Sequence, residues 1–153
     1  MTQMSSTGIA ARLWTWAGVL RVLKYGVPLP TLVRLVHARP VGPRSADLER
    51  RLEDYMAASG SFPRRAPGNC LERSLAAYRI LCRAGASPTL VVGFRHSAVQ
   101  AVEGHVWVVV DGRALAERPD SVATYQPALA FGPDGRQRSS DGSARLPTGI
   151  RFA

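Results

Sequence analysis

Residues 70–94 read CLERSLAAYRILCRAGASPTLVVGF and combine a helical pattern with a strand pattern. Apolar side chains recur at helical spacing in the first part of this stretch, which predicts a helix over residues 70–83 that ends at Gly85. Residues 89–94 are rich in β-branched side chains and predict a strand. A helix followed closely by a strand is therefore the centre of the predicted fold.

A second stretch, HVWVVVDGRALAE at residues 105–117, predicts a β-hairpin. Asp111 and Gly112 form a typical turn pair between two strand-like runs. Because side chains alternate between the two faces of a strand, His105 shares one face with Trp107. The two stretches together predict a helix followed by an antiparallel sheet, which is an α+β fold.

Three further helical patterns precede this core. The first covers residues 8–24, and the second covers residues 31–36. The third follows Ser45, a favourable helix cap, and ends at Gly60. We expect these helices to pack on the core, and they are also candidates for a surface on which a peptide or partner helix docks.

The predicted organisation is one compact domain with three parts. Residues 1–60 form a helical N-terminal region, and residues 61–127 form the core. Residues 128–153 are rich in Gly, Ser, Pro and Arg, and we expect a loosely structured tail there. The apolar residues that could anchor this tail are Leu129, Phe131, Ile150 and Phe152.

The composition excludes several classes of protein. A chain of 153 residues with 46% hydrophobic residues can bury a core, so it is not a disordered chain. Two cysteines are too few for a disulfide scaffold. We find neither an apolar run long enough to span a membrane nor a secretory signal pattern, and we therefore expect a cytoplasmic protein with reduced thiols.

Charge is the one unusual property of the composition. Twenty basic residues against eleven acidic ones give a net charge of +9, which raises the prospect of an acidic partner. The arginines are scattered, however, and the longest basic run is Arg64-Arg65. We therefore expect no nucleic-acid binding, although a non-enzymatic basic binding module remains an alternative.

Cys70 is the first candidate catalytic residue. It begins the predicted helix, where unpaired backbone N–H groups and the positive end of the helix dipole lie. A free thiol has a pKa of about 8.5, and a helix N-terminus or a paired histidine lowers it. Cys82 lies on the apolar side of the same helix, and we expect it to be a buried and unreactive thiol.

His105 is the candidate base, because an imidazole at the start of a strand could pair with the Cys70 thiol. Asp111 is too distant to orient it, since it lies about 20 Å further along the strand. Glu117 would lie directly across from His105 only if Val109 pairs with Arg113 around a bulged three-residue loop. We expect that register, because a two-residue type I′ turn would place Glu117 on the opposite face.

Three segments together resemble a known family: NCLERSLAAYRIL at residues 69–81, PTLVVGF at 88–94 and GHVWVVVDG at 104–112. They are similar to the lasso-peptide leader peptidases, which are small transglutaminase-like cysteine proteases with a papain-like core. The motifs that carry the resemblance are Cys-Leu-x-x-Ser-Leu and His-x-Trp-x-x-x-Asp-Gly. The chain length is similar to the free-standing form of the family, which lacks a fused leader-recognition domain.

The resemblance implies which residues are catalytic. The family's nucleophile falls on Cys70, its base on His105 and its acidic third member on Glu117. The family usually has aspartate at the third position, and Asp120 is the alternative acid. The implied reaction is removal of the leader from a ribosomally made precursor peptide, and it needs no cofactor or metal.

The resemblance also implies partners. These are the precursor peptide, a separate leader-recognition protein and an asparagine-synthetase-like cyclase that closes a macrolactam on the released amine. An alternative within the same chemistry is a transglutaminase or amidase, in which the acyl group passes to a different acceptor.

Overall fold

The computed structural model describes residues 6–60, 70–96 and 102–138. Four helices come first in the chain, and an antiparallel sheet with one short helix follows. The helices are α1 (Ser6–Leu23), α2 (Leu29–Val36), α3 (Ala46–Gly60), α4 (Cys70–Arg83) and α5 (Pro119–Ala123). The strands are β1 (Thr89–Arg95), β2 (Glu103–Val110), β3 (Arg113–Ala114), β4 (Gln126–Phe131) and β5 (Gln137–Arg138). The predicted α+β class is confirmed.

The five strands form one sheet in the order β3-β2-β1-β4-β5. Strands β1 and β2 pair along their length, from Thr89 opposite Val109 to Arg95 opposite Glu103. Strand β4 pairs with the other side of β1, and a register shift occurs between Val92 and Gly93. Strand β1 is therefore central, which explains its nearly continuous apolar sequence.

The main core lies between one face of this sheet and the helices. Side chains of Leu90, Val106 and Phe131 on that face pack with apolar residues of α1 to α4. The opposite face carries a smaller cluster built around Trp107 and Tyr125. The predicted helix over 70–83 and the predicted strands beginning at residues 89 and 105 all take part in these two layers.

The expectation of a loosely structured tail from residue 128 is wrong for its first part. Strand β4 includes residues 128–131 and is inserted in the sheet beside β1, and Phe131 is fully buried. The Gly and Pro content of this region suggested a tail, but β1 needs a second neighbour to satisfy its backbone, and β4 supplies it. Ile150 and Phe152 lie outside the described residues.

The hairpin also differs from the prediction. Val110 pairs with Arg113 and Val109 with Ala114, so the loop contains two residues and not three. Both loop residues have positive φ, 50° for Asp111 and 79° for Gly112, as a type I′ turn requires. Strand β3 is only two residues long, and it does not continue to residue 117 as predicted.

Salt bridges hold this hairpin against α3. Arg113 pairs with Glu53 of α3, and Arg44 binds both Glu49 of α3 and Asp111 in the turn. Asp111 therefore has a structural role, in agreement with its exclusion from the candidate site. None of the helices in the described ranges is both long and apolar enough to cross a membrane.

Candidate active site

Cys70 is the first residue of α4 and lies at the open edge of β2. Residue Val108 directs its carbonyl toward the β3 side of the strand, where it accepts a hydrogen bond from the Leu115 N–H at 2.8 Å. Alternate residues of an antiparallel strand point their backbone groups to the same side, so Val106 points the same way. Because β3 has already ended, no strand among the described residues pairs with Val106 on that side.

The N-terminal end of α4 takes the place of that missing strand. Ser74 donates its hydroxyl to the Val106 carbonyl at 2.8 Å, and the Val106 backbone also hydrogen-bonds to the Cys70 sulfur. These contacts hold the first turn of α4 directly beside His105, which is the neighbour of Val106 in β2. The short length of β3 is therefore what brings the helix and the strand together at the thiol.

His105 lies between Cys70 and Glu117. Its Nε2 is 3.2 Å from Oε1 of Glu117, and its side chain is also hydrogen-bonded to the Cys70 thiol. All three side chains are partly buried, so they are shielded from bulk water but open to a substrate.

Glu117 reaches His105 although the predicted register is wrong. If the β2–β3 pairing continued in the observed register, Glu117 would lie opposite Val106. Its side chain would then be on the face of the sheet opposite to that of His105. The chain leaves the ladder before that point, because Ala116 has a φ of 56°, in the left-handed region. This turn redirects the following residue toward the imidazole.

The alternative acid does not take part in these contacts. Asp120 is exposed in the first turn of α5, and the structure shows no hydrogen bond between it and His105. Of Glu117 and Asp120, only Glu117 is hydrogen-bonded to the imidazole.

The environment favours an ionised thiol at Cys70. Burial is the largest single influence and raises the pKa of the thiol, but several contacts act in the opposite direction. A hydrogen bond with His105, backbone hydrogen bonds at Val106 and Leu71, and the charge of His105 together lower the pKa of Cys70 below its ordinary value. A helix N-terminus and a histidine partner are two of the features that make cysteines reactive in other proteins.

The same contacts keep His105 protonated. Its hydrogen bond with Cys70 is the largest influence, followed by that with Glu117, and they raise the pKa of His105 to about 9 despite burial. At neutral pH the imidazole therefore carries its proton beside the sulfur. The Cys70 sulfur can therefore attack a carbonyl carbon, and His105 can then deliver its proton to a leaving amine.

Aromatic rings surround the imidazole on the face of the sheet away from the main core. The ring of Trp107 stacks at 5.8 Å from that of His105, which agrees with the predicted indole neighbour. The ring of Tyr125 lies closer, at 5.0 Å. Its hydroxyl donates to Glu103 at 3.0 Å, and the guanidinium of Arg95 lies 4.6 Å from the centre of its ring.

Tyr125, Glu103 and Arg95 were not among the residues predicted from the sequence. Glu103 could have been found, because it is two residues before His105 and therefore on the same face of a strand. Tyr125 had no comparable signal, since α5 and the path of the chain after it bring it to the imidazole.

Cys82 differs from Cys70, as expected. It is 2% exposed, and burial raises the pKa of its thiol to about 11. Within residues 6–60, 70–96 and 102–138, no group of three or more potential metal ligands is close enough to bind an ion.

Comparison with protein-family models matches residues 10–130 to the transglutaminase-like superfamily. This superfamily includes cysteine peptidases with Cys-His-Asp triads. Searches of the curated proteins and of the solved structures each found no significant match. The match covers most of the chain, including α4 and the hairpin that carries His105, and the protein therefore belongs to the transglutaminase-like superfamily.

Proposed function

We propose that this protein is a cysteine peptidase that removes the leader from a ribosomally made lasso-peptide precursor. The observation that carries the proposal is the contact of His105 with both Cys70 and Glu117 at the N-terminus of α4. The superfamily match supports thiol-based acyl chemistry, and the resemblance of the two motifs around Cys70 and His105 supports the specific substrate.

In the first step, the Cys70 thiolate attacks the carbonyl carbon of the last leader residue. The negative charge that develops on the carbonyl oxygen would be stabilised by N–H groups at the start of α4, with the N–H of Leu71 among them. His105 gives its proton to the leaving nitrogen, and the amine of the core peptide departs as the C–N bond breaks.

In the second step, water hydrolyses the thioester. His105, now neutral, takes a proton from the attacking water, and the C–S bond breaks to release the leader with a free carboxylate. Glu117 holds the imidazole in one orientation throughout and stabilises its positive charge. The thiolate and the protonated imidazole are then restored.

The proposed reaction takes place in the cytoplasm, where both thiols stay reduced. It needs a precursor peptide and a separate leader-recognition protein, and its product is the substrate of an asparagine-synthetase-like cyclase. The exposed side of α1 is our candidate docking surface for the recognition protein. It carries Trp14 and Val22, which are 51% and 75% exposed, and Tyr25 in the turn just after the helix is 83% exposed.

Precursor cleavage tests this proposal directly. The purified protein is incubated with a lasso-peptide precursor and a leader-recognition protein from the same genome, and products are identified by mass spectrometry. We expect a single cut at the leader–core junction with wild type and with the matched control Cys82→Ala. Cys70→Ala and His105→Ala should leave the precursor intact.

Two results would contradict the proposal. Cleavage that persists in Cys70→Ala would exclude this thiol as the nucleophile. A wild-type reaction that joins the acyl group to a second amine, without release of free leader acid, would identify a transglutaminase-type enzyme.

A further inference from the structure

Helix α1 carries apolar side chains on its exposed side as well as on its buried side. The described residues include eight large hydrophobic side chains that are exposed, and half of them belong to α1 and the turn after it. These four are Trp14, Val19, Val22 and Tyr25. A helix that is apolar on all sides is normally covered on all sides, and a concentration of exposed apolar surface marks an interaction site.

The middle of this exposed side is lined mostly by small residues. Ala11, Thr15, Gly18 and Val22 are all exposed, and they follow one another at intervals of four, three and four residues. This spacing puts them in one line along the helix. The Thr15 hydroxyl donates to the Ala11 carbonyl at 2.8 Å, so its hydrogen-bonding capacity is used within α1. The line is therefore an apolar stripe with little bulk.

Gly18 serves no purpose that the described fold reveals. A Cβ atom at this position would meet no described atom within 4 Å, and the backbone of Gly18 is not in the left-handed region. Glycine inside a helix destabilises it relative to alanine. What a glycine does allow is the close approach of another backbone. An element that packs across α1 at Gly18 would use this property.

Two apolar side chains lie on opposite sides of the stripe. Because each residue advances by about 100° around a helix, Trp14 lies to one side of Gly18 and Val19 to the other. The Trp14 Nε1 donates to the Tyr55 hydroxyl of α3 at 3.1 Å, which holds the half-exposed indole in one place. The exposed side of α1 thus has a low centre at Gly18 between two apolar walls.

The charge of this surface is entirely positive. Arg12 and Arg21 are exposed and lie on the two sides of the stripe, and neither forms a salt bridge within the described residues. Helix α1 contains no acidic residue, and the first acidic residue of the whole sequence is Asp47. A partner helix with acidic residues on both of its flanks would pair with the two arginines.

Two other occupants fit this surface less well. A second copy of the chain would bring the same arginines and no acidic residue to the contact, so like charges would face each other. Helices that lie on an anionic membrane have bulky Trp, Phe or Leu residues at the centre of the apolar face. Here the centre is formed by Ala11, Thr15 and Gly18, which suits a helix better than a lipid surface.

We infer that the exposed side of α1 binds an acidic amphipathic helix of the leader-recognition protein, and that this helix crosses α1 at Gly18. The inference rests on the proposed function for the identity of the partner. It adds the chemistry of the contact: a small-residue centre, two apolar walls and two arginines that select acidic side chains. None of these residues takes part in bond breaking.

Binding without substrate tests the contact at Gly18. The affinity of the full chain for a leader-recognition protein from the same genome is measured by calorimetry, with no precursor present. Gly18→Leu should weaken binding at least about fiftyfold, and Gly18→Ala about fivefold, because added atoms force the two helices apart. Ala57→Leu is the matched control, since Ala57 is an exposed small residue of α3, and it should bind like wild type.

Thermal unfolding separates this effect from misfolding. Gly18→Ala replaces glycine by the best helix former at an open position, so its Tm should rise by about 3 °C while its affinity falls. A merely structural role of Gly18 would make the two properties fall together, and that result would overturn the inference.

Charge reversal tests the acidic character of the partner. Arg12→Glu combined with Arg21→Glu should weaken binding at least about tenfold, because the acidic side chains of the partner would then face acids. Arg39→Glu reverses an exposed arginine outside α1 and is the control, which should lose at most about twofold. Equal losses in the double variant and in Arg39→Glu would mean that only net charge matters and would overturn the specific contact.

The remaining outcomes also decide between the occupants. An unchanged affinity in Gly18→Leu overturns the inference, and so does a wild-type protein that fails to bind the recognition protein. Binding to vesicles of equimolar phosphatidylcholine and phosphatidylglycerol that Gly18→Leu leaves intact, in place of binding to the recognition protein, would identify a membrane surface. A dimer in sedimentation that Gly18→Leu dissociates would identify a second copy. The peptidase proposal is tested separately, by precursor cleavage with wild type and with Cys70→Ala.

Discussion

The two ends of α4 give two cysteines opposite properties. Cys70 and Cys82 lie about 18 Å apart along one helix, given a rise of about 1.5 Å per residue. Contacts with His105 and with backbone groups lower the pKa of Cys70, whereas burial raises that of Cys82 to about 11. The residue type is the same, so the helix terminus and the neighbours determine which thiol can react.

Two buried hydrogen bonds of α4, one near each end, also differ in what they hold in place. Near the N-terminal end, the Ser74 hydroxyl donates to Val106 at the edge of β2 and holds the helix beside the site. Further along, the Tyr78 hydroxyl donates to the Gly132 carbonyl at 2.6 Å and holds the helix against the turn after β4. The Ser74 hydrogen bond positions the N-terminal end of α4 at the candidate site, whereas the Tyr78 hydrogen bond only joins the helix to the sheet.

Removal of each thiol gives the largest expected contrast. Cys70→Ala should lower precursor cleavage at least about 10⁴-fold, because the nucleophile is lost. Cys82→Ala should leave the rate within about twofold. Steady-state cleavage measures both, and equal losses in the two variants would show that the ends of α4 do not differ in function.

His105→Ala should make Cys70 resemble Cys82. Without the hydrogen bond and charge of His105, only the backbone hydrogen bonds at Val106 and Leu71 still oppose the effect of burial, and the pKa of the Cys70 thiol should rise toward or above its ordinary value of about 8.5. The rate of iodoacetamide labelling against pH measures this shift. A pH profile identical to that of wild type would mean that His105 does not stabilise the thiolate.

Glu117→Gln should lower kcat about 10³-fold and shift the alkaline limit of activity. Wild-type activity should rise as the Cys70 thiol ionises and fall as pH passes about 9, where His105 loses its proton. Glu117 raises the pKa of His105, so its removal should move the alkaline limit to lower pH.

Asp120→Asn is the matched control for that variant, since Asp120 is an exposed acid nearby in sequence. It should keep the wild-type rate and the wild-type pH profile. A large loss in Asp120→Asn with a normal Glu117→Gln would reverse the assignment of the third residue.

The smallest expected effects concern the two hydrogen bonds of α4. Ser74→Ala and Tyr78→Phe should each lower the free energy of unfolding by about 1 to 3 kcal/mol, since each leaves a buried carbonyl without its partner. Urea denaturation measures this loss. Only Ser74→Ala should also slow cleavage, by about tenfold, whereas equal rates in both variants would indicate that Ser74 has no positioning role.

The sequence predicted the parts of the fold that depend on local patterns. Helical spacing identified α4, and β-branched runs identified β1 and β2. The sequence did not predict β4. This segment follows a helix of only five residues and has little strand pattern of its own, and its place in the sheet depends on the second hydrogen-bonding edge of β1.

The sequence also predicted some residues of the candidate site for the right reason and one for the wrong reason. Cys70 and His105 carry local signals, a helix start and a strand start. Glu117 was correctly placed at the imidazole, but the physical reason given for it was wrong. The expected cross-strand pairing does not exist, and the left-handed Ala116 provides the turn that brings Glu117 there.

The sequence by itself determined which residues could supply a nucleophile and a base, because residue type and position within a helix or strand are local properties. Only the tertiary structure decided that they meet. The early end of β3 left the backbone of Val106 unpaired, and the start of α4 satisfied it. A buried backbone group must find a partner somewhere, and here that requirement sets the thiol beside the imidazole.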